Sequence, residues 1–264
     1  MHIHLIQKEI IWERPDENRD SLEKMFEGLK ATSGDIIVLP EMYATGFSMN
    51  TLFSEDIMQT NAPNASFLMR KSSDFECCVI GGIAIQNKNL FHNESVAAFP
   101  NGNLIRYKKN NLFPLANENQ TYTAGNELTT FEWNSWIIGM SICYDLRFPE
   151  IYRGLTAKGA NLMVNIANWP IDRIDHWITL LKARAIENQS YIVGVNRTGT
   201  DPNSIYNGRS MIIDPMGSII LDAGEKQGIF SSTIDIEKIS SWRNSFPVLN
   251  NIKGSTHRQQ KSCP

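Results

Sequence analysis

Residues 137–149 read IIGMSICYDLRFP, and this stretch decides what kind of fold the chain adopts. Its beginning is largely apolar and uninterrupted, which is typical of a strand covered on both faces. Cys143 follows directly, and Pro149 then provides a residue that suits the first turn of a helix, where a missing N–H costs little. The stretch therefore predicts a buried strand over Trp136–Ile142, a turn that carries the cysteine, and a helix over Pro149–Lys158.

The same alternation of strands and helices extends in both directions from this stretch. Strands are predicted at His2–Gln7, Asp35–Pro40, Cys77–Ile85, Glu94–Phe99, Asn103–Lys108, Trp136–Ile142, Asn161–Ile166, Tyr191–Asn196, Ser210–Asp214, Ser218–Asp222 and Ile229–Ile234. Helices are predicted at Glu17–Ala31, Ser66–Phe75, Pro149–Lys158 and Asp172–Ser190. Turn residues at 100–103 and 214–217 indicate hairpins. This order is typical of an α/β layered fold with its helices outside, and 264 residues are enough for one domain with a substantial core.

Composition and charge exclude several classes of protein. Hydrophobic residues make up 42% and charged residues 20% of the chain, as in soluble globular proteins. The net charge of −3 gives no electrostatic basis for binding nucleic acid. The N-terminus lacks the pattern of a signal peptide, and the longest apolar runs are too short to cross a membrane. We therefore expect neither a nucleic-acid partner nor a membrane partner.

The four cysteines, Cys77, Cys78, Cys143 and Cys263, are few for a chain of this length and include no CxxC pair. Adjacent Cys77 and Cys78 are poor partners for each other. We therefore expect reduced thiols and a cytoplasmic protein. Nothing in the spacing of the cysteines and histidines resembles a zinc site.

Three reactive side chains lie just past predicted strands, where a rigid scaffold meets an open edge. Glu41 ends the run IIVLPE, Lys109 lies in YKKNNLF, and Cys143 follows Trp136–Ile142. Each alone is typical of something ordinary: a loop carboxylate, a solvated lysine or a small buried thiol. The position of Cys143 at a strand-to-helix turn favours a function, because a helix N-terminus stabilises a thiolate.

Two further segments are candidates for a functional site. The loop Lys109–Gly125 is long, polar and rich in Asn, Glu and Tyr, and a loop of this length in a compact domain is typically functional or disordered. Trp169 lies in Asn168-Trp169-Pro170 after a predicted strand. An aromatic side chain in that position can line a substrate pocket, although a place in the core fits it nearly as well.

Taken together and in this order, the motifs resemble the carbon–nitrogen hydrolase (nitrilase) superfamily. The resemblance covers nearly the whole chain and rests on LPEMYATGF, YKKNNLF, CYDLRFPEIYR, ANWP and LLKARAIENQSYIVGVNR. The segments NENQTYTAG and RNSFPVLNN are similar to the bacterial omega-amidase branch, which hydrolyses 2-oxoglutaramate and similar omega-amides. One departure is Asn111, which stands where the family pattern has a histidine. We expect this difference to affect the packing of the loop more than the chemistry.

The resemblance implies roles for individual residues. Cys143 matches the nucleophile, Glu41 the general base and Lys109 the electrostatic stabiliser, since the family lysine lies two residues past the tyrosine. Glu118 matches a second family glutamate near this triad, and the backbone N–H of Tyr144 completes the oxyanion site. The implied reaction hydrolyses a small omega-amide to a carboxylic acid and ammonia through a thioester, and it requires no metal or cofactor.

The resemblance also implies a single-domain, four-layer α-β-β-α sandwich and a homodimer that joins two of them. We place the domain at residues 1–252 and a polar tail at 253–264. An omega-amide carries an acid group far from the amide, and Arg147 is our candidate to bind it, with Arg173 as the alternative. An ion pair of Arg147 with Asp145 or Glu150 is a nearly equal possibility.

Other functions stay open at this level. One is a Cys–His thiol hydrolase that uses one of the five histidines, His2, His4, His92, His176 and His257. A second is a binding protein of the same fold without catalysis. A third lies inside the superfamily, as hydrolysis of a nitrile, an N-carbamoyl compound or another small acid amide, and the fold alone does not separate these activities.

Overall fold

A computed structural model describes residues 1–57 and 62–252 of the chain. The strands are β1 (His2–Gln7), β2 (Ile36–Val38), β3 (Cys78–Asn87), β4 (Leu90–Ala98), β5 (Leu104–Lys108), β6 (Thr130–Trp133), β7 (Trp136–Ile142), β8 (Leu162–Ala167), β9 (Tyr191–Asn196), β10 (Thr198–Thr200), β11 (Ile205–Asn207), β12 (Met211–Ile213), β13 (Ile219–Asp222) and β14 (Gly228–Thr233). The α-helices are α1 (Pro15–Glu27), α2 (Pro63–Phe75), α3 (Glu118–Thr121), α4 (Pro149–Ala157), α5 (Ile174–Asn188) and α6 (Ile236–Ser245). Short 3-10 helices lie at Thr51–Phe53, Pro114–Ala116, Cys143–Arg147, Ile171–Arg173 and Val248–Asn251.

Two six-stranded sheets contain most of these strands. The first has the order β14-β1-β2-β3-β4-β5 and the second the order β13-β12-β9-β8-β7-β6, while β10 and β11 form a separate pair. The central strands are parallel in each sheet, β1 to β2 to β3 in one and β7 to β8 to β9 in the other. The remaining neighbours are antiparallel, so both sheets are mixed.

The alternation of side chains along the strands produces three apolar layers. In β1, Ile3 and Leu5 join the core between the two sheets, whereas Ile6 joins the core beneath α1 and α2. In β8, Val164 faces the core between the sheets and Met163 packs beneath α4 and α5. The strands therefore bury both faces, as their apolar runs predicted, and the single-domain α-β-β-α sandwich is confirmed.

The predicted helices and strands exist, with shifts at their ends. Helix α1 stops at Glu27, before the predicted Ala31, because the N–H of Gly28 donates to the carbonyl of Met25 at 3.2 Å and that of Leu29 to the carbonyl of Phe26 at 3.0 Å, which ends the helix. Strand β4 begins at Leu90, four residues before the predicted start, because its hairpin with β3 continues to the turn. Both predicted hairpins are present.

The elements that sequence patterns did not predict are short or weakly patterned. They are β6, β10, β11, α3 and α6. The predicted helix Asp172–Ser190 is in fact a 3-10 turn followed by α5. Over residues 1–57 and 62–252, every helix is too short or too polar to span a bilayer. The predicted polar tail, 253–264, lies outside the described residues.

Candidate active site

Glu41 enters the space between the sheets just after the end of β2. The backbone turns sharply there, because Met42 adopts a left-handed conformation with φ of 45°. The turn lies directly on β3, where a Cβ on Gly82 would stand 2.5 Å from the Glu41 Cα. A glycine is therefore required at position 82. The side chain of Glu41 is fully buried as a result.

Lys109 follows β5 and meets two carboxylates. Its backbone N–H donates to the carbonyl of Asn93 in β4 at 2.9 Å, which fixes the direction of its side chain. The ammonium Nζ lies 2.9 Å from Glu41 Oε1 and 2.9 Å from Glu118 Oε2. All three side chains have zero exposure, so the predicted convergence of Glu41, Lys109 and Glu118 is a property of the structure.

The loop 109–125 is ordered around Glu118 and is not an irregular segment. Asn117 adopts a left-handed conformation with φ of 59°, and Glu118 then begins α3. Glu118 Oε2 accepts the backbone N–H of Phe113 at 2.6 Å. Its Oε1 accepts from Asn93 Nδ2 at 2.8 Å and from Lys109 Nζ at 3.0 Å. The loop therefore wraps around the carboxylate that anchors it.

The electrostatics of this cluster depend on burial and on close opposite charges. Burial alone would lower the pKa of Lys109, but the carboxylates of Glu118 and Glu41 raise it above the usual range of lysine. Burial, assisted by Glu41, raises the pKa of Glu118, and the ammonium of Lys109 opposes that change. Lys109 is therefore a permanent cation, and the cluster holds one more acidic group than basic groups.

Cys143 occupies a strained turn at the end of β7. Its φ is +44°, in the left-handed region that non-glycine residues rarely adopt, and such strain concentrates at functional sites. Asp145 holds the turn, since it accepts the N–H of Ile142 at 3.0 Å and the hydroxyl of Tyr107 at 2.8 Å. Asn111 donates to the same carboxylate from its backbone and its side chain. Asn111 thus fastens the Lys109 loop to the cysteine turn.

The surroundings of Cys143 and the direction of its pKa shift differ from those expected at a helix N-terminus. The turn is a 3-10 helix and the α-helix begins only at Pro149. Burial and the Glu41 carboxylate raise the pKa of Cys143 well above its usual value, and the Lys109 ammonium opposes them only in part. This direction is opposite to the thiolate stabilisation expected of a helix N-terminus, and it favours the protonated thiol.

Asn93 and Asn168 complete the site, and sequence analysis did not single out either one for it. Asn93 Nδ2 bridges Glu41 and Glu118, at 2.7 and 2.8 Å. Asn168 donates its backbone N–H to Glu41 Oε2 at 2.8 Å and its side chain to the Glu41 carbonyl at 2.8 Å. The thiol of Cys143 donates to the Asn168 carbonyl at 3.7 Å. Asn168 thus connects the cysteine to the carboxylate.

The cysteine opens into a cavity of about 600 Å³. Tyr144, Arg147, Trp169 and Arg173 all line it. Trp169 is also buried, at 2% exposure, and packs in the core beneath α4 and α5.

The two arginines are held by aromatic faces. The guanidinium of Arg147 lies 4.8 Å above the Trp169 ring, with two nitrogens 3.4 Å from His176 Nδ1. That of Arg173 lies 5.7 Å from the Phe113 ring. The considered ion pair of Arg147 with Asp145 or Glu150 does not form, because Asp145 is turned inward to Ile142 and Tyr107.

The histidines of the described residues have partners away from the thiol. His2 and His4 contact Thr233 and Ser231, and His92 contacts the Thr123 carbonyl. His176 contacts Arg147. His257 lies outside the described residues. Within residues 1–57 and 62–252, no group of three His, Cys, Asp or Glu side chains is arranged to hold a metal ion.

Comparison with known proteins decides the family. The model of the carbon–nitrogen hydrolase family matches residues 3–244. The chain belongs to the carbon–nitrogen hydrolase family. It is a hydrolase that acts on non-peptide carbon–nitrogen bonds, and the family resemblance seen in the motifs is confirmed.

Relatives of this carbon–nitrogen hydrolase include named amidases. A 2-oxoglutaramate amidase of Bacillus subtilis (strain 168) is 34% identical over 95% of this chain and 97% of the relative. Omega-amidase YafV of Escherichia coli (strain K12) is 35% identical over 94% of this chain and 95% of its own length. A crystal structure of XC1258 from Xanthomonas campestris, a superfamily protein with an arsenic adduct in its active site, is 32% identical, with a TM-score of 0.89 over 96% of this chain and 97% of its own.

Proposed function

We propose that this hydrolase cleaves a small omega-amide, of the 2-oxoglutaramate type, with Cys143 as nucleophile. The observation that carries the proposal is the buried Glu41–Lys109–Glu118 cluster, which Asn168 links to the strained cysteine. The names of the relatives from Bacillus subtilis and Escherichia coli support the substrate class. The products are a carboxylic acid and ammonia.

Glu41 acts as the general base. Its Oε1 accepts from Asn93 and Lys109, whereas its Oε2 accepts from the backbone and side chain of Asn168. The contact between the Asn168 side chain and Oε2 is the longest of the four, at 3.2 Å, and therefore the weakest. Oε2 is therefore the oxygen to which we assign the proton of the Cys143 thiol. Because burial and Glu41 raise the pKa of the Cys143 thiol, transfer of its proton to Glu41 accompanies the attack of the sulfur on the amide carbon.

Lys109 and a backbone N–H receive the developing oxyanion. The N–H of Tyr144 belongs to the first turn of a helix, whose N–H groups have no partner within the helix. The carbonyl carbon bonds to the sulfur, the C–N bond breaks, and protonated Glu41 gives its proton to the departing nitrogen. Glu41 then takes a proton from water, which attacks the thioester; the C–S bond breaks, the acid is released, and Glu41 returns the proton to the Cys143 sulfur. Losing one oxyanion donor typically costs about 10²–10³ in rate.

Arg147 is the proposed partner for the distal acid group, and Arg173 the alternative. Both line the cavity with the cysteine, and their guanidinium faces rest on aromatic rings. A guanidinium held in this way leaves its N–H edge free to grip a carboxylate with two parallel hydrogen bonds.

Trapping the acyl-enzyme tests the role of Cys143. Intact-protein mass spectrometry with a slow omega-amide is expected to show an adduct at Cys143, which Cys143→Ala abolishes together with ammonia release. The free thiols of Cys77 and Cys78 are internal controls, since burial raises the pKa of Cys77 to about 11 and that of Cys78 further. An adduct on either of them, or ammonia release by Cys143→Ala, contradicts the assignment. A panel of omega-amides, nitriles and N-carbamoyl acids identifies the substrate class.

We further propose a homodimer located in the cytoplasm. The family resemblance supports the dimer, and so do the exposed apolar side chains of Ile186 and Met216 near the end of α5. The free thiols of the described cysteines support a reducing compartment. Sedimentation equilibrium tests the dimer, and a monomer at micromolar concentration contradicts it. Fractionation of the cells tests the location.

A further inference from the structure

The ring of Phe47 forms the part of the cavity wall that lies beside the buried cluster. Phe47 lines the same cavity as Cys143, and the ammonium Nζ of Lys109 lies over its face, 5.0 Å from the ring centroid. Phe47 is half-buried and packs against a small apolar group formed by Met42, Ala84 and Tyr122. One aromatic side chain therefore connects the cavity with the cation that the carboxylates hold.

The ring supports the ammonium from a side that the carboxylates leave uncovered. Nζ of Lys109 lies 2.9 Å from Glu41 Oε1 and 3.0 and 2.9 Å from the two oxygens of Glu118. The Lys109 side chain has no exposure to solvent, so water does not hydrate its remaining side. The face of an aromatic ring carries partial negative charge and attracts a cation within about 6 Å, most strongly out of water. Phe47 therefore replaces part of the hydration that burial removes from the ammonium.

The backbone on both sides of Phe47 is held in place. Gly46 has a φ of 73°, in the left-handed region that favours glycine, and its N–H donates to the Met42 carbonyl at 2.9 Å. The N–H of Ser48 donates to the Gly46 carbonyl at 2.7 Å, and the Ser48 carbonyl accepts the hydroxyl of Tyr122 at 2.8 Å. These bonds fix the backbone that carries the ring and keep the ring next to the ammonium.

We propose that Phe47 is a positioning residue that acts through Lys109. The inference rests on the proposed function, in which Lys109 receives the oxyanion. When Glu41 takes the thiol proton, it becomes neutral and attracts the ammonium less, so the charge of Glu118 draws Nζ away from the substrate. The ring belongs to the cavity wall and attracts the ammonium toward the cavity, where the oxyanion forms. Phe47 therefore contributes to kcat more than to KM.

Fluorination of the Phe47 ring tests this role, because fluorine withdraws negative charge from the ring face and changes the size of the ring little. Phenylalanines with one, two or three fluorines are incorporated at position 47 of the full chain. We expect kcat for 2-oxoglutaramate, measured as ammonia release, to fall with each fluorine. The total loss is expected to be about three- to thirtyfold, the range for a cation–π contact at a dry site, while KM changes less than about twofold. A packing role alone predicts no such gradient.

Phe91 is the matched control, because it is half-buried and packs against the same apolar group. Among the residues that the structure describes, no cation lies over the Phe91 ring. The same fluorinated residues at position 91 are expected to leave kcat unchanged. An equal loss at both positions, or no loss at position 47, overturns the proposal.

Lys109→Met separates this inference from the proposed function. In this variant no ammonium lies over the ring, so trifluorination of Phe47 is expected to change the remaining rate less than about twofold. A loss as large as in the unaltered protein means that the ring does not act through Lys109, and it overturns the inference alone. Full activity of Lys109→Met instead overturns the proposed function, because the oxyanion then has another donor.

Discussion

Lys109→Met removes the cation from the buried cluster while nearly preserving its volume. The change leaves Glu41 and Glu118 without the ammonium that lies 2.9 Å from each. Breaking a buried ion pair on one side typically costs about 3–5 kcal/mol. Protonation of one carboxyl limits that cost. Because the reference pKa of a glutamate is about 4.3, protonating one of the two glutamates costs about 4 kcal/mol at pH 7 and about 1 kcal/mol at pH 5.

The sign of the pH dependence follows from the same residues. In the variant, Glu118 loses the ammonium that opposed the effect of burial, so its folded-state pKa lies well above the unfolded value. A carboxyl of this kind contributes stability that is complete below the unfolded pKa and is lost as the pH rises through the folded pKa. Relative to the unaltered protein, we expect Lys109→Met to lose about 4 kcal/mol at pH 7 and about 1 kcal/mol at pH 5.

Urea unfolding at both pH values measures the loss. Lys108→Met is the matched control, because Lys108 is the neighbour of Lys109 in sequence but its side chain is only half-buried and lies outside the cluster. Lys109→Met combined with Glu118→Gln removes one buried charge of each sign, and we expect it to recover most of the loss at pH 7. We expect activity to stay low in both variants, because both lack the proposed oxyanion donor. An equal loss at pH 5 and pH 7, or no recovery in the double variant, refutes the reasoning.

Two further predictions concern the cavity and the cysteine turn. Arg147→Ala is expected to raise KM for acidic omega-amides about 10- to 150-fold and to affect neutral amides much less; equal losses in steady-state kinetics on both would make Arg147 structural. Burial raises the pKa of Asp145 to about 6, so its favourable contribution to stability is complete below about pH 4 and is lost through about pH 6. Relative to Asp145→Asn, the unaltered protein should therefore lose about 2 kcal/mol between pH 4.5 and 7 in urea unfolding, and a constant difference contradicts this.

The fold was predictable because most of its strands have a recognisable sequence pattern. Strands buried on both faces form continuous apolar runs, and the sequences of β7, β8 and β9 are largely apolar in this way. In contrast, β10 and β11 contain three residues each, too few to display alternation. Helix α3 consists of polar residues and is held by the contacts of Glu118. Its position therefore depends on tertiary structure, which local patterns do not encode.

The sequence pointed to the reactive residues of the site but not to the residues that hold them in position. Glu41, Lys109 and Cys143 follow strands and belong to recognisable motifs. Asn93 lies inside a strand, and its hydrogen bonds to Glu41 and Glu118 depend on the tertiary packing of β4 against both glutamates. The raised pKa of the Cys143 thiol was also not predictable from local sequence, because it depends on burial and on the Glu41 carboxylate from the other sheet.

The buried cluster suits a reaction that moves one negative charge without creating another. At rest, the charges are on Glu41, Lys109 and Glu118. In the proposed mechanism, Glu41 takes the proton of Cys143, and the negative charge passes to the sulfur and then to the oxyanion, while the total charge in the site is unchanged. A neutral Glu41 holds Lys109 less strongly, so the ammonium becomes available as the oxyanion forms. Glu118 remains to hold it in place. In this mechanism, a dry site with a fixed ammonium stabilises the transition state with little reorganisation, which gives a reason to bury two carboxylates around one lysine despite the cost in stability.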